Sequence, residues 1–225
     1  RPEELVERAQ ALGYAGLALV DECSVAGVVR AHVKAREIGF PLAVGAQFEV
    51  CDADAPTPYT AIVLVESMHG WGQLCSFITR LRRSAPKGSY LLTHAQFDRA
   101  DWADCLVLVA PHRTLPATCE SEAPMTSGLQ DDPGIDALAA WIARRHPGRA
   151  WIAAHRERRL DDERWMQRLQ AAGHRHGVPL VAAGDVHMHL RSRKPLQDVL
   201  TATRLNRPLT ECGRALQRSA ERHLR

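Results

Sequence analysis

Residues 12–45 read LGYAGLALVDECSVAGVVRAHVKAREIGFPLAVG, and this stretch decides the fold class. The run AGLALV at 15–20 is short and continuously apolar, which is typical of a strand buried on both faces. After Ser24, apolar residues recur at helical spacing until Gly39, and LAVG at 42–45 is a second apolar strand. The stretch therefore predicts a strand, a helix and a strand, the repeating unit of α/β proteins.

The same alternation continues on both sides of this stretch. Six apolar strands separated by helices predict an α/β fold with a largely parallel sheet, either open or closed into a barrel. The segment 111–134, rich in Pro, Ser, Thr and acidic residues, is predicted to be a long loop. Beyond residues 12–45, strands are predicted at 60–65, 105–110, 150–154 and 179–184, and helices at 2–12, 70–81, 135–142, 161–176 and 196–205.

Composition excludes several classes of protein. The chain has 225 residues, 45% hydrophobic and 24% charged, as in soluble globular proteins, so disordered and fibrous classes are excluded. The aromatic share of 5% predicts a mostly aliphatic core. No apolar run approaches the roughly 18 residues that a membrane helix needs. Six cysteines without a CxxC pair predict reduced thiols and a cytoplasmic location.

Residues 191–225 are strongly basic, with eight arginines and one lysine against three acidic residues, a net charge of +6. Such a segment is typical of a nucleic-acid contact, but a solvated, arginine-rich helix surface is the more common reason for such a charge run. If the segment binds DNA, the binding should weaken steeply as salt rises. Both interpretations stay open from the sequence.

Polar side chains follow the predicted strands. Because the carboxyl ends of parallel strands meet at one edge, carboxylates and imidazoles there could bind divalent metal ions, which can activate water and hold a phosphate ester. The sharpest signal is Asp185 to His189, where Asp and His alternate. Asp21 could instead cap the next helix, as could Glu66, and the histidines could be ordinary loop residues. The candidates are Asp21, Glu22, Gln47, Glu66, His69, His112, His155, Asp185, His187 and His189.

Several motifs together resemble a known family. They are the stretch 12–50, GWGQL at 70–74, KGSYLL at 87–92, PLVAAGDVHMH at 179–189 and LQDVLTATRLNRPLTECG at 196–213. In this order they resemble the PHP (polymerase and histidinol phosphatase) domain of bacterial C-family DNA polymerases. With AERHLR at 220–225, the pattern is most similar to the error-prone alpha-subunit paralogue of damage-induced mutagenesis.

The resemblance implies a PHP-type distorted (β/α)7 barrel, here lacking its first strand and the His-x-His metal motif on it. Asp21 matches the family's Asp-His motif, but Glu22 replaces the histidine, and Gln47 stands where the family has a metal-binding glutamate. Only Asp21, Asp185 and His187 carry over as candidate metal ligands, for Mn, Zn or Mg. Because three scattered ligands cannot hold a trinuclear cluster, we expect weak or no phosphoesterase activity.

The resemblance also implies a division of the chain. Residues 1–205 would be an N-terminally truncated PHP domain, and 206–225 the start of the connection to a polymerase palm. The first residue is not Met, which also predicts a fragment or a processed product. No catalytic or further cofactor-binding residue is expected in the segment, because the Mg-dependent polymerase site would lie in the absent palm.

Three functions remain open on this basis. The first is a fragment of an error-prone, translesion DNA polymerase, with the PHP domain as a scaffold and DNA and other mutagenesis or replication proteins as partners. The second is a stand-alone metal-dependent phosphoesterase, and the third is a non-enzymatic docking module. A degenerate site predicts substoichiometric Mn or Zn after dialysis, and about three equivalents per chain would contradict it.

Overall fold

Six strands form one sheet in the order β1 to β6, and seven helices pack around it in the part of the chain that the computed structural model describes. That part comprises residues 1–113, 132–156, 158–217 and 219–225, with the backbone alone for residue 214. The strands are β1 Leu17–Glu22, β2 Leu42–Val50, β3 Tyr59–Val65, β4 Cys105–Pro111, β5 Ala150–Ala154 and β6 Leu180–Ala182. The helices are α1 Pro2–Ala11, α2 Val28–Ile38, α3 Met68–Arg83, α4 His94–Asp98, α5 Pro133–Arg145, α6 Asp162–His176 and α7 Lys194–Leu205.

The α/β class is confirmed, but one strand runs against the others. β1 and β2 pair in parallel, as do β4 with β5 and β5 with β6, whereas β3 is antiparallel to both of its neighbours. The cause is the length of β2, which continues to Val50 rather than ending at 45. Only eight residues then connect β2 to β3, fewer than the dozen or so that a parallel crossover requires.

The sheet curls into a half-barrel. One small apolar cluster on its inner face contains Val20 of β1 and Val181 of β6, although these strands lie at opposite ends of the sheet order. Between them lie Ile62 of β3 and Ala110 of β4, which are both buried.

The core is mostly aliphatic, as the composition predicts, and it contains one cluster of aromatic side chains. Tyr59, Phe48 and Phe97 are the largest fully buried side chains. The ring of Phe77 contacts Phe48 edge-on at 5.3 Å and Trp102 at 4.9 Å between centroids. This aromatic cluster lies between the sheet and helices α3 to α5.

The predicted loop at 111–134 lies largely outside the described residues, which stop at 113 and resume at 132. At its far end, Asp132 caps α5 by accepting hydrogen bonds from the amides of Gly134 and Ile135.

In the described part, no helix is both long and apolar enough to span a bilayer. The division at residue 206 stays a prediction, but Leu224 is buried against α1 and α2.

Candidate metal centre

The carboxyl ends of five parallel strands meet at one edge of the sheet, together with the amino end of β3. Asp21 and Glu22 end β1, His112 follows β4, and His155 follows β5. Beyond β6 the chain carries Asp185, His187 and His189 to the same side. Gln47 lies inside β2, directly opposite Glu22 in the parallel register.

Two of the predicted residues lie at the opposite edge, because β3 is reversed. Glu66 follows β3 and forms an ion pair with Arg149, which precedes β5. His69 is at the same end, with Nδ1 2.7 Å from Oδ2 of Asp104, just before β4. Placing these two with the other candidates was wrong. Glu66 does not cap α3 either, since Ser67 accepts the amide hydrogen bond of Gly70.

Asp21 is engaged locally. Its Oδ2 accepts a 2.9 Å hydrogen bond from the amide of Gly27, the residue immediately before α2. A side chain at Gly27 would collide with this carboxylate, since an added Cβ would lie 2.8 Å from Oδ2. Asp21 is therefore not the N-cap of α2, as the sequence allowed: Gly27 is the N-cap and has no side-chain cap, and Asp21 bonds to the Gly27 amide.

Glu22 is held by two residues distant in sequence. The hydroxyl of Tyr90 donates to Oε1 of Glu22 at 3.2 Å and accepts the amide of Glu49 at 2.8 Å. The guanidinium of Arg82 donates to the backbone oxygens of Glu22 and Cys23, each at 3.1 Å. Burial raises the pKa of the Tyr90 phenol above its ordinary range, which keeps this hydroxyl available as a donor.

Asp185 and His187 are brought together, and an arginine from the end of the chain joins them. Oδ1 of Asp185 lies 3.3 Å from Nε2 of His187. Oδ2 of Asp185 forms an ion pair with Nη1 of Arg222, and the same Nη1 lies 3.2 Å from Nε2 of His187. His189 points elsewhere, with Nδ1 3.6 Å from Oε2 of Glu4. Sequence reasoning missed Arg222, because nothing in the local pattern connects it to Asp185.

The electrostatics at Asp185 favour the carboxylate. Burial by itself raises the pKa of Asp185, but the hydrogen bond with His187 and the charges of Arg222, His187 and His155 outweigh it. They hold the pKa of Asp185 well below its ordinary range. The residue also has a left-handed backbone with φ of 42°, a conformation that Asp tolerates better than most residues. Asp185 is therefore a fixed anion with a fixed orientation.

A second cluster lies at the same edge and was only partly predicted. Donor atoms of Glu49, Cys51 and His112 lie within 4.8 Å of one another, the one such His/Cys/Asp/Glu group of three in the described part of the chain. Nε2 of His112 is 3.0 Å from Oε2 of Glu49 and 2.9 Å from the hydroxyl of Thr60. Glu49 and Cys51 were missed because β2 was predicted to end too early.

This trio does not fit a metal ion while the Cys51 sulfur is oxidised. Cys51 is in a disulfide, so its sulfur is not a thiolate ligand, and the prediction of reduced thiols throughout is wrong at this position. Cys23, Cys75, Cys105 and Cys212 do have free thiols. Burial raises the pKa of Cys105 to about 11, so this thiol is inert at neutral pH.

The described residues do not assemble a multi-metal centre. Asp21, Asp185 and His187 do not bring three donor atoms within 4.8 Å, according to the geometry of the part of the chain that the structure describes. Two of the three already have cationic or amide partners, Arg222 for Asp185 and the Gly27 amide for Asp21. Their role as metal ligands therefore stays a prediction.

Several basic side chains of the segment 191–225 form ion pairs within the molecule. Glu221, 6% exposed, has carboxylate oxygens 3.3 Å from Arg191 and 3.5 Å from Arg225. Other carboxylates pair with further basic side chains of the segment: Glu4 with Arg193, Asp198 with Lys194, Glu22 with Arg204 and Asp185 with Arg222. Six basic side chains of the segment therefore have a carboxylate partner, but four of these arginines remain 42% to 69% exposed.

Comparison with known proteins defines the class of this chain. Residues 1–114 match the PHP domain family, so the chain belongs to the PHP domain family. This confirms the resemblance seen in the sequence. The curled α/β sheet agrees with it, since polar residues gather at the strand ends as in other α/β sites.

More particular relatives are error-prone DNA polymerases. The chain is 44% identical over 224 residues to the "Error-prone DNA polymerase" of Methylococcus capsulatus and 43% identical over 233 residues to that of Bordetella parapertussis. Both alignments cover 100% of this chain but only 19% and 21% of those proteins. The chain therefore spans about a fifth of the length of the curated relatives that it matches.

Two solved structures share the fold. A protein of Bifidobacterium adolescentis, described as a metal-dependent phosphoesterase, has a TM-score of 0.56 and 18% identity, covering 82% of this chain and 81% of its own. An amidohydrolase from Chromobacterium violaceum has a TM-score of 0.50 and 15% identity, covering 81% and 80%. At such low identity, these likenesses establish the architecture only.

Proposed function

We propose that this chain is the PHP domain of an error-prone DNA polymerase and that it supports the polymerase without hydrolysing phosphate esters itself. The polymerase part rests on the 44% identity along the whole chain to a protein of that name. Translesion synthesis, a cytoplasmic location and contacts with DNA and other mutagenesis or replication proteins belong to the same proposal. The nucleotidyl-transfer site, with its Mg ions, would lie in the rest of the parent protein.

The scaffold role rests on one observation, the occupation of the Asp185 carboxylate by Arg222. A guanidinium is permanently charged, so the negative charge of Asp185 is compensated without a metal ion. Asp21 is also engaged, because its carboxylate accepts the Gly27 amide. Both carboxylates among the candidate ligands therefore have partners within the protein. Any Mn, Zn or Mg bound here would be bound weakly.

Two measurements test the polymerase proposal. The DNA on both sides of this coding segment should continue in frame, and the whole reading frame, once expressed, should extend a primer past an abasic template site. A stop codon next to residue 225 would contradict the proposal for the native product. Extension that stops at every lesion would remove only its translesion part.

A stand-alone phosphoesterase is the second candidate, favoured by the fold shared with the Bifidobacterium adolescentis protein. We expect no hydrolysis of bis(p-nitrophenyl) phosphate by the purified chain in Mn²⁺ above the rate of D185N and H112A variants. A rate at least tenfold above both variants would contradict the scaffold role and favour the phosphoesterase. The Asp136→Asn variant is the control for nonspecific loss of an ion-paired carboxylate.

A further inference from the structure

The donor atoms of Asp185 and His187 converge on one nitrogen of the chain itself. Nη1 of Arg222 pairs with Oδ2 of Asp185 and lies 3.2 Å from Nε2 of His187. A carboxylate oxygen and an imidazole nitrogen are also what a divalent cation would take from these two residues. Arg222 therefore stands at the point that both ligands face.

The backbone holds Arg222 in this place from both sides. The amides of His187 and Met188 donate to the Arg222 oxygen at 3.0 and 3.3 Å, and the Leu224 amide donates to the Met188 oxygen at 3.3 Å. Met188 and His223 form a parallel bridge, so this short segment adds to 187–188 like a strand. The position of Arg222 is thus held by several backbone hydrogen bonds as well as by its side-chain contacts.

Buried anchors flank the contact on the same segment. Leu224 is 3% exposed and packs with Val6 and Ala9 of α1, while the Arg225 oxygen accepts a 2.7 Å hydrogen bond from Tyr14. The carboxylate of Glu221 is also buried among arginines. Docking of residues 221–225 and neutralisation of Asp185 are therefore one structural event.

We propose that Arg222 is the resident cation of this PHP site: it takes the position of a divalent ion between Asp185 and His187, and thereby fastens the end of the chain to the sheet edge. The inference rests on the proposed scaffold function and deepens it. The site is a clamp for the segment 221–225, and divalent ions compete with that segment for the same two side chains.

The test is Mn²⁺ binding to the 225-residue chain, with free Mn²⁺ counted by electron paramagnetic resonance. We expect the Arg222→Met variant to bind Mn²⁺ at least tenfold more tightly than the wild-type chain, and the R222M/D185N double variant to lose this gain. Arg225→Met is the matched control, because it removes one charge from the same segment but leaves Asp185 paired. Equal affinity of R222M and wild type would overturn the inference.

If R222M does not fold, a second measurement tests the inference. In Asp185→Asn, the Leu224 amide should exchange its hydrogen at least tenfold faster, because the segment loses its clamp. Asp136→Asn, which removes a carboxylate from an equivalent Arg175–Asp136–His176 cluster, should leave that exchange unchanged. Unchanged exchange in D185N would overturn the inference.

Failure of this inference and failure of the scaffold proposal give different results. If the wild-type chain hydrolyses no phosphate ester and R222M gains no Mn²⁺ affinity, the inference fails while the scaffold proposal stands. Mn²⁺-dependent hydrolysis by the wild-type chain would instead contradict the scaffold proposal.

Discussion

His146 shows how a single buried side chain ties stability to pH. The imidazole is 7% exposed, and its Nε2 has no hydrogen-bond partner in the described structure. Burial, followed by the charge of Arg145, lowers the pKa of His146 to about 4. The folded chain therefore keeps this group neutral at a pH where the unfolded chain protonates it.

We expect this group to weaken folding as the pH falls. The pKa of this imidazole is about 6.5 in the unfolded chain and about 4 in the folded chain. The contribution of the neutral imidazole to stability is therefore complete above pH 6.5 and is lost as the pH falls from 6.5 towards 4. Between pH 7.5 and 5.0, wild type should lose about 2 kcal/mol more unfolding free energy than His146→Gln. Urea denaturation at both pH values measures this, with the exposed His32→Gln as control. Equal losses in wild type and H146Q would refute the assignment.

Of the three residues that meet at Asp185, the sequence indicates two. Asp185 and His187 could be found, because they alternate within five residues after a predicted strand. Arg222 could not, since 35 residues separate it from His187 and its arginine-rich surroundings give no local signal. Whether a carboxylate faces a metal, an amide or a guanidinium depends on contacts that no spacing rule encodes.

At the scale of elements, the reversed strand β3 reorganises the sheet edge. Gly45 of β2 illustrates the close fit, since an added Cβ would lie 2.1 Å from the Val63 oxygen of β3. The two backbones approach here at a position where any side chain would push the antiparallel pair apart. Glycine in the middle of a strand is thus a requirement of the pairing.

Gly45→Ala should destabilise the chain by about 2 kcal/mol or more, because the methyl group collides with backbone and not with a movable side chain. Gly72→Ala is the matched control: nothing lies within 4 Å of its added Cβ, and alanine favours the α3 helix by roughly 0.5–1 kcal/mol. Chemical denaturation of both variants gives the two shifts. A neutral or stabilising G45A would show that β2 and β3 do not approach as described.

Element type was predictable from the sequence, while element direction was not. The existence of all six strands follows from their apolar runs, and the end of α2 at Gly39 follows from its left-handed glycine, with φ of 67°. The direction of β3 depended on where β2 ends, and Gln47 and Glu49 looked like loop residues. A strand that continues into polar residues has no clear end in the sequence, because only one of its faces is buried.

At the scale of the whole molecule, the charge distribution argues against extensive DNA binding by this chain alone. Six basic side chains of the segment 191–225 have carboxylate partners. A charge that is already paired releases few counterions when DNA approaches. The net charge of the segment therefore overstates its attraction for phosphate.

We expect the affinity of the chain for single-stranded DNA to fall less than about tenfold between 50 and 200 mM salt, as for one or two phosphate contacts. Fluorescence anisotropy with a labelled oligonucleotide measures this dependence. Arg207→Gln should remove most of what binding remains, because Arg207 has no carboxylate partner among the described side chains, and Arg83→Gln on α3 serves as control. A fall of a thousandfold or more would establish a true DNA-binding surface.

Local patterns and ordered motifs in the sequence were enough to predict the α/β class, the number of strands, the helix end at Gly39 and membership of the PHP family. Tertiary contacts set the direction of β3, the cluster of aromatic side chains, the separation of Glu66 and His69 from the other candidates, and the insertion of Arg222 between Asp185 and His187. These features arise from contacts between residues far apart in the chain. Their energies depend on how the sheet curls and brings its edges and the end of the chain together.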